Sequence, residues 1–131
     1  MEDIEHIKVK VKGCLDSLYE NEKELFELDA YEQAICGRLA CYLHGKFTEY
    51  NVDVEYNRHG NKSKRNEETN LVKPDIVIHK RDDDNNLLVI EAKKGHCGER
   101  EKVRGHMEYF GYKLGAVLTF HKDKEPEILW V

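Results

Sequence analysis

Two short apolar runs, separated by a cluster of turn-forming residues, constrain the fold of this chain more than any other feature. Residues 73–80 (KPDIVIHK) and 87–93 (LLVIEAK) each hold at least three consecutive aliphatic side chains, which is typical of strands that are covered on both faces. The intervening residues 81–86 (RDDDNN) are of the types that form turns. The sequence therefore predicts an antiparallel hairpin in the interior of a sheet.

The rest of the chain has both helical and strand periodicity, before the hairpin as well as after it. We predict helices at 4–20, 30–47 and 99–113, strands at 52–57, 116–121 and 128–131, and a long, flexible basic loop at 58–72. The passage from strand through helix to strand between 87 and 121 predicts a right-handed parallel crossover. The expected fold class is α/β, with a mixed central sheet.

Length and composition limit the class of protein. A chain of 131 residues has the size of one domain with one sizeable core, so we expect a single domain over 1–131. No apolar run approaches the ~20 residues that span a bilayer, and the acidic start lacks a signal-peptide pattern. We therefore expect no membrane association and a cytoplasmic location. The cysteines form no CxxC pair and are expected to be free, buried thiols: Cys14, Cys36, Cys41 and Cys97.

The net charge of −5 is unevenly distributed along the chain. Residues 1–33 carry ten acidic side chains against four lysines, and residues 57–73 carry five basic side chains against two acidic ones. An acidic end with a basic middle can still present a local nucleic-acid surface, because electrostatic fields act regionally.

Two acidic side chains lie at matching positions of the predicted hairpin. If the hairpin is centred on residue 83, Asp75 lies opposite Glu91, with the side chains roughly 4.5–5.5 Å apart. Like charges placed opposite each other destabilise a sheet, whereas a divalent cation between them reverses the sign of the interaction. Hard oxygen ligands on rigid strands favour Mg²⁺ or Mn²⁺, which retain waters and admit a phosphate.

Lys93 follows Glu91 by two residues, so both side chains lie on the same face of the strand, about 7 Å apart along it. An ammonium there can hold a water on the metal or lower the pKa of that water, and it can stabilise charge that develops on a phosphate. Strand ends also carry Asp, Glu and Lys simply because they meet solvent. Asp75 and Glu91 adjoin buried apolar runs, which favours a site for phosphodiester hydrolysis.

The residues Pro74-Asp75 and, after the hairpin, Glu91-Ala92-Lys93 resemble the motif of the PD-(D/E)xK nuclease superfamily. This resemblance implies that Asp75 and Glu91 bind the metal ion with help from the Ala92 carbonyl. It also implies that Lys93 is the catalytic lysine.

The same resemblance implies a restriction-endonuclease-like fold, with an αβββαβ core of helix, three-stranded meander, helix and strand. The resemblance covers residues 29–121. An N-terminal helical extension at 1–22 and a short C-terminal strand then lie outside this nuclease-like core.

Many members of the superfamily place a glutamate on the first core helix, directed at the metal, and Glu32 is the candidate in this chain. Two interpretations of Glu32 stay open. Its position on the stripe of helix 30–47 that faces the sheet favours a catalytic role. Asp29 and Glu32 also form the D-x-x-E pattern of a capping box, which would turn the glutamate back towards its own helix start.

The helix after the motif commonly carries Gln or Lys in this superfamily, and this chain has no Gln there. His106 lies nearest to that position, and with Lys102 it belongs to a helical stripe that could contact phosphates. We predict nucleic-acid contacts by this stripe and by a basic rim around the site. The predicted contacts are Arg58, Lys62, Lys64, Arg65, Lys73, Lys94, Lys102 and His106.

The sequence thus predicts a Mg²⁺- or Mn²⁺-dependent nuclease, a hydrolase of phosphodiester bonds that requires no small-molecule cofactor. DNA is the expected substrate from the resemblance alone, and RNA stays open. A domain of this size has little room to read sequence, so we expect weak specificity, a homodimer or a partner protein. The alternative is a non-catalytic nucleic-acid-binding or protein-interaction module on the same fold.

Overall fold

A mixed β-sheet with helices against both of its faces organises the protein. The computed structural model describes residues 3–28, 32–56, 58–59, 62–63, 74–81, 85–94 and 100–131. The helices of these ranges are α1 (Ile4–Asn21), α2 (Lys23–Glu27), α3 (Glu32–Lys46) and α4 (Arg100–Phe110). The strands are β1 (Asn51–Val54), β2 (Arg58–His59), β3 (Lys62–Ser63), β4 (Ile76–Lys80), β5 (Asn85–Lys94), β6 (Leu114–Phe120) and β7 (Glu127–Trp130).

The main sheet has five strands in the order β1-β4-β5-β6-β7. β5 and β6 run parallel, and the other neighbours run antiparallel, while β2 and β3 pair with each other in a separate ladder. The structure therefore confirms an α/β fold with a mixed sheet, an antiparallel β4–β5 hairpin and a parallel β5–α4–β6 passage. From α3 to β6, the main elements follow the predicted order of helix, three-stranded meander, helix and strand.

The register of the β4–β5 hairpin determines which side chains meet across it. Ile76 pairs with Ile90, and the next two pairs keep this register, so the predicted centre on residue 83 is confirmed for this half of the ladder. Towards the turn, the register shifts by one residue after Ile78, which leaves Leu87 as a bulge on β5.

Apolar side chains pack in two layers, one on each face of the sheet, because successive residues of a strand point to opposite faces. Ile76 and Ile78 face the larger layer with α1 and α3, whereas Val77 faces the smaller layer with α4. The residues that α1 buries are Ile7, Val11, Cys14, Leu15 and Leu18. Although the sequence places α1 in an extension, its apolar face is thus part of the main hydrophobic core.

Several local features differ from the sequence predictions. Ile4, which the periodicity assigns to the apolar stripe of α1, is exposed. A short helix, α2, follows the predicted break after α1 and is held by Phe26, whose ring stacks on Tyr19 with centroids 4.2 Å apart. The predicted strand 52–57 ends early, because Glu55 adopts a left-handed backbone with φ 48° that interrupts the extended conformation.

The predicted loop 58–72 contains the β2–β3 ladder, and its residues 60–61 and 64–72 lie outside the described ranges. Cys14 and Cys36 are buried free thiols, as predicted, whereas the free Cys41 is exposed. Cys97 lies outside the described ranges as well. Within those ranges, every helix is too short or too polar to cross a membrane.

Candidate functional site

Asp75 and Glu91 lie together at the end of the β4–β5 ladder. Extending the ladder by one position beyond Ile76 and Ile90 places Asp75 opposite Glu91. The two carboxyl groups lie close enough for the charge of Glu91 to act on Asp75, and the Ala92 N–H donates to Asp75 Oδ2 at 2.8 Å. The sheet therefore brings these two acids into contact, as the hairpin register predicts.

The electrostatic environment of Asp75 disfavours its ionised form. Burial and the neighbouring charge of Glu91 raise the pKa of Asp75 from 3.8 to about 6. The Ala92 N–H and the positive charge of Lys102 lower this pKa, but they do not cancel the first two effects. The pair therefore holds a proton or another positive charge more readily than two separate surface carboxylates do.

Two side chains of α4 contact the Glu91 carboxylate. Lys102 Nζ lies 3.3 Å from Glu91 Oε1, and His106 Nε2 lies 3.1 Å from Glu91 Oε2. Lys102 and His106 are one helical turn apart, so they lie on the same face of α4. The Glu91 side chain is only 2% exposed, and these contacts satisfy both of its oxygens.

His106 is one of the predicted nucleic-acid contacts, and the structure places its side chain in the interior. His106 is buried against Glu91 and packs near Phe110, so it does not present its ring to a ligand at the surface. Lys102 is half exposed, and its predicted contact with phosphate stays a prediction. The sequence signal for the contact of both residues with Glu91 is their spacing of four on one helix. The apolar stripe of that helix faces the same side of the sheet as Glu91.

Lys93 lies on the same face of β5 as Glu91, because side chains two residues apart in a strand point to the same face of the sheet. Its side chain is partly buried. Its placement beside the carboxyl pair agrees with the sequence argument, and its catalytic role stays a prediction.

The start of α3 adds further negative charge to this region. Cys36, one turn inside α3, is buried, and burial is the largest cause of the raised pKa of its thiol. The next causes are the negative charges of Asp75, Glu32 and Glu91. Glu32 therefore lies within electrostatic reach of the same thiol as the carboxyl pair. The capping alternative depends on Asp29, which is outside the described ranges.

Glu55 is an acidic neighbour that the sequence analysis did not identify. Its charge also raises the pKa of the Cys36 thiol, and its Oε2 accepts a hydrogen bond from Gln33 Nε2 at 2.5 Å. Its backbone N–H donates to the Asp75 carbonyl oxygen at 3.2 Å. The alternation in residues 52–57 predicts an ordinary strand position here, so no local signal marks the left-handed residue that turns the chain towards the site.

The oxygen atoms at the carboxyl pair fit a hard divalent cation. In a strand, the N–H and C=O of one residue point to the same edge, so the Ala92 carbonyl lies on the edge from which its N–H reaches Asp75. Two carboxylates and a carbonyl are ligands that Mg²⁺ and Mn²⁺ accept, with waters completing the shell. Among the described residues, no group of three or more His, Cys, Asp or Glu side chains is arranged to hold a metal, so the fit depends on this smaller set.

The basic rim is largely beyond what the structure describes. Lys64, Arg65 and Lys73 lie outside the described ranges. Arg58, Lys62 and Lys94 lie in β2, β3 and β5, and only their backbone is described. The predicted contacts of these six residues with nucleic acid stay predictions.

A second, partly buried charge cluster connects β1 to the residues at the end of β4. His79 Nε2 is 2.8 Å from Asp53 Oδ2, and Arg81 Nε donates to the same oxygen at 2.9 Å. Burial of Asp53 raises its pKa, but the hydrogen bonds from Arg81 and His79 outweigh this effect and leave the pKa below its usual value. The charge of Asp53 is thus compensated within the cluster, whereas burial and the neighbouring charge of Glu91 raise the pKa of Asp75.

Taken together, the site offers two adjoining carboxyl groups, a strand lysine on the same face and a second lysine from α4. Such a set can bind a cation and hold a phosphate next to it. No family model matches this chain, and comparisons with curated proteins and with solved structures find no significant match to it.

Proposed function

We propose that this protein is a Mg²⁺- or Mn²⁺-dependent nuclease of the PD-(D/E)xK type, with a restriction-endonuclease-like core. The observation that carries the proposal is the position of Asp75 opposite Glu91 at the end of the β4–β5 ladder, where the charge of Glu91 raises the pKa of Asp75. A sheet gains no stability from two acids in contact, whereas a cation-dependent hydrolase requires them.

Each residue of the site has a defined task in this proposal. Asp75, Glu91 and the Ala92 carbonyl would hold the ion, which supplies Lewis-acid activation of the phosphodiester. Lys93 would orient the attacking water and stabilise negative charge on the phosphate. Glu32 would assist from the start of α3 or hold a second ion.

The substrate and setting belong to the same proposal. DNA is the expected substrate because of the motif Pro74-Asp75 and Glu91-Ala92-Lys93, and RNA is the second substrate to test. A homodimer or a partner protein would supply the specificity that a chain of 131 residues has little room to encode. The cytoplasmic location expected from the sequence is also part of this proposal.

A cleavage assay tests the proposal directly. Purified protein is incubated with plasmid DNA and with DNA and RNA oligonucleotides over a range of Mg²⁺ and Mn²⁺ concentrations. Asp75→Asn, Glu91→Gln and Lys93→Met should each lower the cleavage rate by about a hundredfold or more. Glu127→Gln, a change at an exposed carboxylate near His121, should leave the rate unchanged.

The controls separate true activity from contamination. Equal cleavage by wild type and by all three site variants would assign the activity to a contaminating nuclease and would contradict the proposal. A metal-independent rate would contradict it as well.

The second candidate is a non-catalytic nucleic-acid-binding or protein-interaction module on the same fold. It is favoured by the pairing of Glu91 with both Lys102 and His106, because this network can stabilise the packing of α4 without any metal. Binding of nucleic acid without cleavage at any metal concentration would support this candidate.

A further inference from the structure

The two partners of Glu91 differ in how easily they can leave it. The His106 side chain is 5% exposed, whereas the Lys102 side chain is 53% exposed. Withdrawing the imidazole would leave a polar ring and a carboxylate unsatisfied in the protein interior. Withdrawing the ammonium returns it to water, where a lysine is strongly hydrated.

The position of Lys102 also matches the charge of the site. Its Nζ lies 3.3 Å from Glu91 Oε1, and its charge acts on Asp75 as well. One ammonium therefore partly neutralises two adjoining carboxyl groups. A divalent cation between these groups would perform the same neutralisation with twice the charge, and it would need the Glu91 oxygen that Lys102 now contacts.

We propose that Lys102 is an internal counter-ion of the carboxyl pair, which a divalent metal must displace from Glu91 in order to bind. His106 stays in place and keeps the carboxylate oriented when Lys102 leaves. The metal affinity of the site is then set by competition with a side chain of the same protein. This inference rests on the proposed metal-dependent function.

Isothermal titration with Mn²⁺ tests the competition, because removal of a competitor strengthens metal binding. Lys102→Met should bind Mn²⁺ about tenfold more tightly than wild type, and Lys102→Arg, which keeps the charge, should not. The matched control is Arg104→Met on the same helix, where Arg104 is 43% exposed and pairs with Glu101. Its Mn²⁺ affinity should equal that of wild type.

Ionic strength distinguishes contact competition from a general effect of net charge. Salt screens exposed charges over about 8 Å at physiological strength and over about 3 Å at 1 M. The difference between Lys102→Met and wild type should therefore largely persist in 0.5 M salt. A difference that disappears there would overturn the assignment of a contact.

Chemical labelling gives a second measurement on the unaltered protein. The amine of Lys102, quantified by mass spectrometry after brief reductive methylation, should react several-fold faster in saturating Mg²⁺ than in its absence. In Glu91→Gln, Lys102 should react fast with or without Mg²⁺. Unchanged labelling of Lys102 on metal binding would overturn the proposal.

The outcomes separate this inference from the function on which it rests. If wild type binds Mn²⁺, Glu91→Gln does not, and Lys102→Met binds no more tightly than wild type, then the inference fails while the metal site stands. If neither wild type nor Lys102→Met binds Mn²⁺, both the inference and the proposed function fail.

Discussion

Asp75 immediately precedes β4 and Asp53 lies in β1 opposite Val77, and their surroundings shift the pKa values of the two carboxyl groups in opposite directions. Both are partly buried, but Asp53 receives hydrogen bonds from Arg81 and His79, whereas Asp75 adjoins another carboxyl group. Burial of a carboxylate is tolerated where a positive charge accompanies it. The cluster around Asp53 therefore stabilises the fold, and the pair at Asp75 costs stability.

Asp75→Asn should stabilise the metal-free protein at neutral pH. Because the pKa of Asp75 is about 6 in the folded protein and 3.8 in the reference state, the folded state binds more protons between these values, and stability falls as pH rises through this window. The variant removes this loss. We expect it to raise the free energy of unfolding by about 2 kcal/mol at pH 7 and by little at pH 4, as measured by urea denaturation.

Asp53→Asn is the matched comparison and should have the opposite sign. The lowered pKa of Asp53 means that its ionised form contributes stability above its unfolded pKa, and this contribution is lost as pH falls through the folded value. The variant should therefore be less stable than wild type across pH 4–7. A destabilised Asp75→Asn protein at pH 7 would contradict the argument for the site.

At the scale of elements, the approach of α4 to the sheet decides whether Lys102 and His106 reach Glu91. Gly115 in β6 permits this approach, since a Cβ built there would lie 2.5 Å from Val103 Cγ1 and 2.6 Å from Met107 Sδ. Any larger residue at this position requires the side chains of Val103 and Met107, or the helix that carries them, to shift.

Gly115→Ala should therefore destabilise the protein by about 1–3 kcal/mol. Gly105→Ala, in the exposed interior of α4 with nothing within 4 Å of the added Cβ, should instead stabilise it by about 0.5–1 kcal/mol, because alanine has the higher helix propensity. Urea denaturation of both variants measures the difference. Equal stability of the two variants would mean that the close contact at Gly115 is relieved without cost.

How much the sequence predicts differs between the two halves of the site. The contact of Asp75 with Glu91 follows from a two-residue side-chain period and a short turn, which are local properties. The contacts of Lys102 and His106 depend on the rotation and distance of α4 over the sheet. Those quantities are set by packing around Val103, and the helical period alone does not determine them.

At the scale of the whole molecule, α1 closes the larger hydrophobic layer. Leu15 is fully buried in this layer, although the sequence alone places residues 1–22 outside the nuclease-like core. Helical periodicity predicts the apolar face of α1. It does not predict which surface this face packs on, because that depends on residues far away in the sequence.

Leu15→Ala should lower the free energy of unfolding by about 2–5 kcal/mol, because it removes buried methyl groups and leaves a cavity. Val9→Ala, at an exposed position of the same helix, should change the stability by less than about 0.5 kcal/mol. Thermal or urea unfolding measures both. A small effect at Leu15 would indicate that α1 is an appendage after all.

The bulge at Leu87 has a consequence for how this hairpin tolerates change in its length. It lies between the turn and the half of the ladder that ends at Asp75 and Glu91. An insertion at the tip can be absorbed by a further unpaired residue of this kind, whereas loss of Leu87 itself would remove a fully buried side chain. The loop can therefore vary over evolutionary time while the two acids keep their alignment.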